Sequence, residues 1–371
     1  MKKYQSIMTA GLLLASTVTI AAQAENLDLD ALIEAARKEA PITIYDSTGK
    51  IVDMANAFSK KYGVEATGQK VSANSQLEML IREHQAKNIR ADVALLSDTP
   101  AGMAQLLPAK IMESWIPVSM AETIPEHYRD PFTMSVNANL WSYNGDTFET
   151  CPVGNIWELT EPKWHRKIAL VDPLTKGTAA DWFNQTETYG EEQMRAAYEA
   201  HFGHSFKPKE FETATQAWVA GLARNAPLLT GTSDPVAEAV GTAGDADPFF
   251  GLVDSAKYRN NADKGFHLRI CETLKPWVGW SYTKLALISP ETKSPNMAKL
   301  FIQYLLTEEG LLPQMEDGKM PTSTAIPFPK DEPSGVANYL NQILPYNAAT
   351  GLDDWEKRQD WQDIWRVNYR R

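Results

Sequence analysis

The feature that most constrains this chain is a repeated order of elements: an apolar or β-branched run, a polar turn, then an amphipathic helical stripe. Ile42-Thr43-Ile44-Tyr45 is β-branched and aromatic and predicts a buried strand. Asp46-Ser47-Thr48-Gly49-Lys50 follows as a turn, and Ile51, Met54, Ala55 and Phe58 then repeat at helical spacing. Residues 91–96 predict another buried strand, running into Ser97-Asp98-Thr99-Pro100 and a helix. The second half of the chain repeats the pattern. Residues 167–171 lead into Asp172-Pro173-Leu174-Thr175-Lys176-Gly177-Thr178 and a helix over 179–189. Residues 226–229 lead into Thr230-Gly231-Thr232-Ser233-Asp234-Pro235 and a helix over 236–243, and residues 249–253 end at Asp254-Ser255. Strands alternating with helices argue for α/β layers around open, mostly parallel sheets. In such sheets ligands bind beyond the carboxyl ends of the strands, where these turns lie.

The length, 371 residues, exceeds what one compact core serves, so two domains are expected. A formal net charge of -11 gives no summed field to attract phosphate backbones, which argues against nucleic-acid binding. At the N-terminus Lys2 and Lys3 precede an apolar run over residues 7–21, and Ala22-Gln23-Ala24 is a small-residue cleavage pattern. Those three parts in that order predict a secretory signal peptide over residues 1–24, cleaved after Ala24. The apolar run is too short for a membrane anchor. A soluble periplasmic protein is expected, with no membrane insertion. Export leaves two states open to Cys151 and Cys271, one disulfide or two separate buried thiols.

Four of the turns share one chemistry: Ser47, Thr48 and Gly49; Ser97, Asp98 and Thr99; Thr175, Lys176, Gly177 and Thr178; Gly231, Thr232 and Ser233. Each precedes a helix, whose N-terminus offers unpaired N–H groups and a positive dipole end, a setting that suits an anion. The same residue types are also ordinary caps and turn formers. The six histidines are scattered, and the two cysteines form no metal-spaced cluster. There is no G-x-G-x-x-G after a strand, and DSTGK lacks the leading glycine of a phosphate-binding loop. A G-x-S-x-G nucleophile elbow is missing too, so a secreted hydrolase on an α/β scaffold is the weaker alternative. Trp141, Tyr143, Trp182, Trp277, Trp280 and Tyr282 are candidate walls for an organic ligand, or plain core.

Several segments in order carry a family resemblance: EAARKEAPITIYDSTGK, AFSKKYGVEAT, IRADVALLSD, VNANLWSYN, EPKWHRKIALVDP and AKLFIQYLLTEEG. Together with the leader, the chain resembles a periplasmic solute-binding protein of an ABC importer. It is similar to the type II group that includes ferric-ion and hexose-phosphate binders. The resemblance implies two α/β lobes joined by two crossover strands acting as a hinge. It implies lobe one over residues 25–138 and 278–371, and lobe two over 139–277. It brings Cys151 and Cys271 toward the ends of the lobe-two segment, which favours a disulfide. A membrane permease is the implied partner, no cofactor is implied, and a monomer is expected. In ferric binders a pair of adjacent tyrosines follows a strand near the position of Asp254. Here the sequence is Val253-Asp254-Ser255-Ala256-Lys257-Tyr258, so that pair is missing, which argues against a metal carrier. The expected cargo is a small anionic organic solute, with a sugar phosphate leading. Ser47, Thr48, Thr175, Lys176, Gly177, Thr178, Thr232 and Ser233 would hold the anion. Ser97 is a further ligand-binding candidate, Asp98, Asp234 and Asp254 would read hydroxyls, and Trp280 or Trp182 would be a flat wall. A ferric-ion carrier is the alternative within the class.

Overall fold

In the computed structural model, residues 29–369 are described; the predicted signal peptide lies outside them. The first unit opens with α1 (Leu29–Ala36), β1 (Ile42–Asp46), α2 (Lys50–Tyr62), β2 (Ala66–Lys70), α3 (Ala73–Gln85) and β3 (Val93–Leu96). It continues through α4 (Thr99–Ala101), β4 (Glu113–Ser114) and α5 (Val118–Ala121) to the long strand β5 (Thr133–Asn144). The second unit holds β6 (Ile168–Val171), α6 (Gly177–Phe202), α7 (Ala214–Arg224), β7 (Leu228–Thr230), α8 (Ser233–Gly241) and β8 (Phe250–Asp254). After α9 (Asn260–Asp263) and β9 (Leu268–Ile270), β10 (Gly279–Ile288) returns to the first unit, which adds α10 (Pro295–Leu305) and α11 (Glu308–Met315). The chain closes with β11 (Met320–Pro321), β12 (Ile343–Leu344) and α12 (Gly351–Asn368).

The strand order is β2-β1-β3-β10-β5-β8-β6-β7. Two parallel triplets, β2-β1-β3 and β8-β6-β7, are therefore joined by two long antiparallel strands. This is the two-lobed α/β architecture that the alternating pattern and the resemblance implied. On lobe one, α2 and α10 cover the sheet with Phe58, Phe301 and Tyr304 in mutual contact. On lobe two the core is aromatic, with Trp141, Trp182, Trp218 and Phe250 buried together. The buried indoles Trp157 and Trp218 donate to the carbonyls of Met194 and Ile156 at 3.0 and 2.9 Å, so these large side chains leave no orphan N–H.

Ser72 caps α3, accepting from Ser75 N at 3.3 Å. Two local readings change. Helix α6 runs on through Gly190 to Phe202, and the missing side chain at Gly190 lets the ring of Trp277 approach to 2.3 Å from where a Cβ would stand. The C-terminal helix α12, read from sequence with residues 278–371 of lobe one, buries Trp361 and Trp365 in the aromatic core against Phe183 of α6. Cys151 and Cys271 form a disulfide with a Cα–Cα separation of 5.1 Å. Among the described residues no helix is long and apolar enough to cross a membrane.

Candidate functional site

The two long strands that join the lobes pair Ser135 with Lys284, Asn137 with Tyr282 and Asn139 with Trp280. Directly opposed residues of an antiparallel pair share one face. One face of the junction is thus lined by six side chains with polar atoms, where a pure core would place apolar ones. Asn137 and Ser135 are fully buried. Both amide atoms of Asn137, Ser135 Oγ and Trp280 Nε1 have no hydrogen-bond partner among the described residues. A buried polar group left unpaired costs about 1–3 kcal/mol, so such a cluster calls for a purpose.

Cations surround this floor. Lys284 Nζ donates to Asp46 Oδ1 at 2.5 Å, and Gln314 Nε2 donates to the other Asp46 oxygen at 2.9 Å. Asp46 ends β1, so the first turn brings its carboxylate to the junction. Lys319 is 5% exposed and, among the described residues, donates only to Gln314 Oε1, at 3.4 Å. Burial, then the neighbouring Lys284 ammonium, pushes its pKa down to about 8. Lys176 lies over the ring of Tyr282, 5.9 Å from its centroid. Loss of water lowers its pKa, with Asp254 pulling the other way. Tyr282 donates to Asp254 Oδ2 at 2.6 Å, and burial followed by that carboxylate holds its phenol well above the usual range. Among the described residues neither Lys176 nor Lys319 contacts a carboxylate at ion-pair distance.

The predicted turns converge, with different duties. Ser47 and Ser97 bring their hydroxyls to 3.3 Å of one another, so the first and third strand ends meet. Thr48 N donates to Asp46 Oδ1 at 3.3 Å. From the opposite lobe, the Thr175 carbonyl accepts from Asn74 Nδ2 at 2.7 Å, closing the lip of the cleft. Thr178 lines small pockets together with Trp280, which is stacked on Trp182 at 5.4 Å. The space over Gly177, read from sequence as room for an anion, holds the Arg358 guanidinium, 2.4 Å from where a Cβ would stand. The three carboxylates expected to read hydroxyls are already engaged. Asp98 accepts from Ala101 N and from Arg358, Asp234 pairs with Lys257 at 2.7 Å, and Asp254 takes the Tyr282 hydroxyl. Asp234 is half-exposed, as is the turn it shares with Thr232, while Ser233 is buried. Sequence reasoning missed Ser135, Asn137, Lys284, Lys319 and Arg358. One signal was available: Ser135, Asn137 and Asn139 alternate with the apolar Met134, Val136, Ala138 and Leu140. The lysines carried no such pattern. Among the described residues no group of three or more His, Cys, Asp or Glu is arranged to hold a metal ion.

Two parallel triplets, a double-strand junction and a lined cleft between the lobes define a type II periplasmic binding protein. Residues 42–318 match the family described as bacterial extracellular solute-binding protein, and the chain belongs to that family. Among curated protein sequences nothing matches significantly. Solved structures share the fold at low identity. Iron-bound HitA from Pseudomonas aeruginosa is 15% identical with a TM-score of 0.67, covering 89% of this chain and 99% of its own. The substrate-binding protein of an ABC transporter from Agrobacterium tumefaciens is 13% identical with a TM-score of 0.69, covering 91% and 97%. A Trichodesmium protein (IdiA, FutA) in complex with iron and citrate is 16% identical with a TM-score of 0.61, covering 89% and 100%. The chain is thus a bacterial extracellular solute-binding protein and not an enzyme, which sets aside the secreted-hydrolase reading.

Proposed function

We propose that the cleft captures a small anionic organic solute, with a sugar phosphate or similar organophosphate as the leading class, and delivers it to a membrane permease. One observation carries this reading. Among the described residues, unpaired buried donors and acceptors at Ser135, Asn137 and Trp280 lie at the same junction as Lys176 and Lys319, which no carboxylate contacts at ion-pair distance. An anion satisfies the lysines, and the rest of the solute satisfies the amide and indole groups. The hydroxyl-rich ends at Ser47, Thr48 and Thr178 supply further donors. A ferric-ion carrier is the competing reading, supported by the iron named for two fold neighbours. A bare trivalent cation would meet the ammonium groups of Lys176, Lys284 and Lys319 and no tyrosine pair.

In this reading lobe one comprises residues 25–138 together with the return segment from 278. The C-terminal helix α12 goes with lobe two, residues 139–277. The mature chain begins after Ala24 and works as a monomer. Calorimetric titration with sugar phosphates, phosphonates and inorganic phosphate tests the ligand class. Heat with at least one phosphorylated compound is expected; none with any of them, alongside tight binding of ferric salt, would overturn the reading.

A further inference from the structure

The C-terminal helix lies across the junction between the lobes, and one of its side chains touches both. Arg358 Nε and Nη2 donate to the Asp181 carboxylate of α6 at 2.8 and 2.7 Å. Its Nη2 and Nη1 donate to Asp98, in the turn after β3, at 2.7 and 3.3 Å. The Arg358 side chain is 14% exposed and each carboxylate 3%. Trp355 stacks on the guanidinium at 4.7 Å, and the bare backbone of Gly177 forms its seat. Asp181 and Arg358 are anchored together in the second lobe, through α6 and through Trp361 and Trp365. Asp98 is anchored in the first lobe, where its other bond caps Ala101 N at 3.1 Å.

We propose that Arg358 is a positioning residue for lobe closure, holding Asp181 at all times and capturing Asp98 as the cleft shuts. Two carboxylates from opposite lobes repel without the shared cation. With it, the two-sided set of charge-assisted bonds is satisfied at one angle between the lobes. Opening returns Asp98 to water, where its helix cap persists, and leaves the Arg358–Asp181 pair intact. Asp98 thereby acts on affinity through closure and not by contact with solute. This purpose rests on reading the cleft as a solute site, but the test below needs no solute.

The lip contact between Asn74 and Thr175 supplies the readout. In the full chain carrying Asn74→Cys and Thr175→Cys, the rate of oxidative cross-linking follows the closed population, however small. Arg358→Gln and Asp98→Asn should each slow cross-linking about tenfold, the loss of one charged hydrogen-bond set. The double variant should be no slower than either single one, because both remove the same contact. Arg358→Lys should fall between. Asp98→Asn keeps an oxygen to cap α4, so it decides the matter even if the arginine variant folds poorly. Parent-like rates in Asp98→Asn would overturn the proposal, as would effects that multiply in the double variant. A failed calorimetric search for phosphorylated solutes would leave these rates unchanged, so the two readings fail separately.

Discussion

Asn137 concentrates the functional question at the scale of a single residue. It is fully buried, and both of its amide atoms lack partners among the described residues. A side chain in that state weakens the fold and is of use only to something bound. Asn137→Leu should therefore raise stability by about 1 kcal/mol, since an apolar group of the same shape replaces an unpaired polar one. The same change should abolish solute binding. Denaturant unfolding and calorimetry on one preparation check both halves; a variant that loses stability would place Asn137 in the scaffold. Lys319 sets a pH dependence. Its pKa in the free protein is about 8. A bound anion raises it, so binding takes up a proton near and above that pH. Affinity for an anionic solute should hold below pH 8 and fall as pH rises through it. Lys319→Met should flatten the profile, measured by calorimetry in buffers of different ionisation heat.

At the scale of elements, β5 and β10 do two jobs at once. They join the lobes and present alternate polar side chains to the cleft, which is why a period-two polar pattern interrupts an apolar strand. That signal was legible in Ser135, Asn137 and Asn139. The lysines that matter were not. Lys284 drew no reading from the sequence and is buried against Asp46, 238 positions away, which pairs with it. The opposite error occurred at Gly177, where sequence chemistry suited an anion and a remote arginine supplies the occupant. Helix α12 shows the limit for packing: its tryptophans announce a core without saying whose. Because Trp365 is fully buried in the aromatic core, Trp365→Ala should cost about 3–5 kcal/mol by denaturant unfolding. A loss below 1 kcal/mol would mean that the helix is not part of that core. The disulfide closes a loop of 120 residues. Replacing both cysteines by alanine should lower stability by roughly 2–5 kcal/mol. Circular dichroism melts with and without reductant give the same comparison.

The whole molecule is built from two units with the same inner strand order, one interrupted and one inserted into it. Repeated strand–turn–helix order predicted the α/β layers, because local patterning fixes the elements and short connections fix their neighbours; the two-lobe plan with one lobe inserted was implied by the family resemblance. The net charge of -11 remains uninformative about cargo. A few lysines brought together from distant positions set the local sign inside the cleft, whatever the exterior carries. Lobe closure would strengthen their effect by excluding water. The most direct test of this account is the identity of whatever accompanies the protein out of the periplasm. The mature chain should be purified without added ligand, released by mild denaturation, and the small-molecule fraction analysed by mass spectrometry and elemental analysis. The account predicts a stoichiometric organic anion containing phosphorus. Stoichiometric iron, or a neutral or cationic solute without phosphorus, would contradict it.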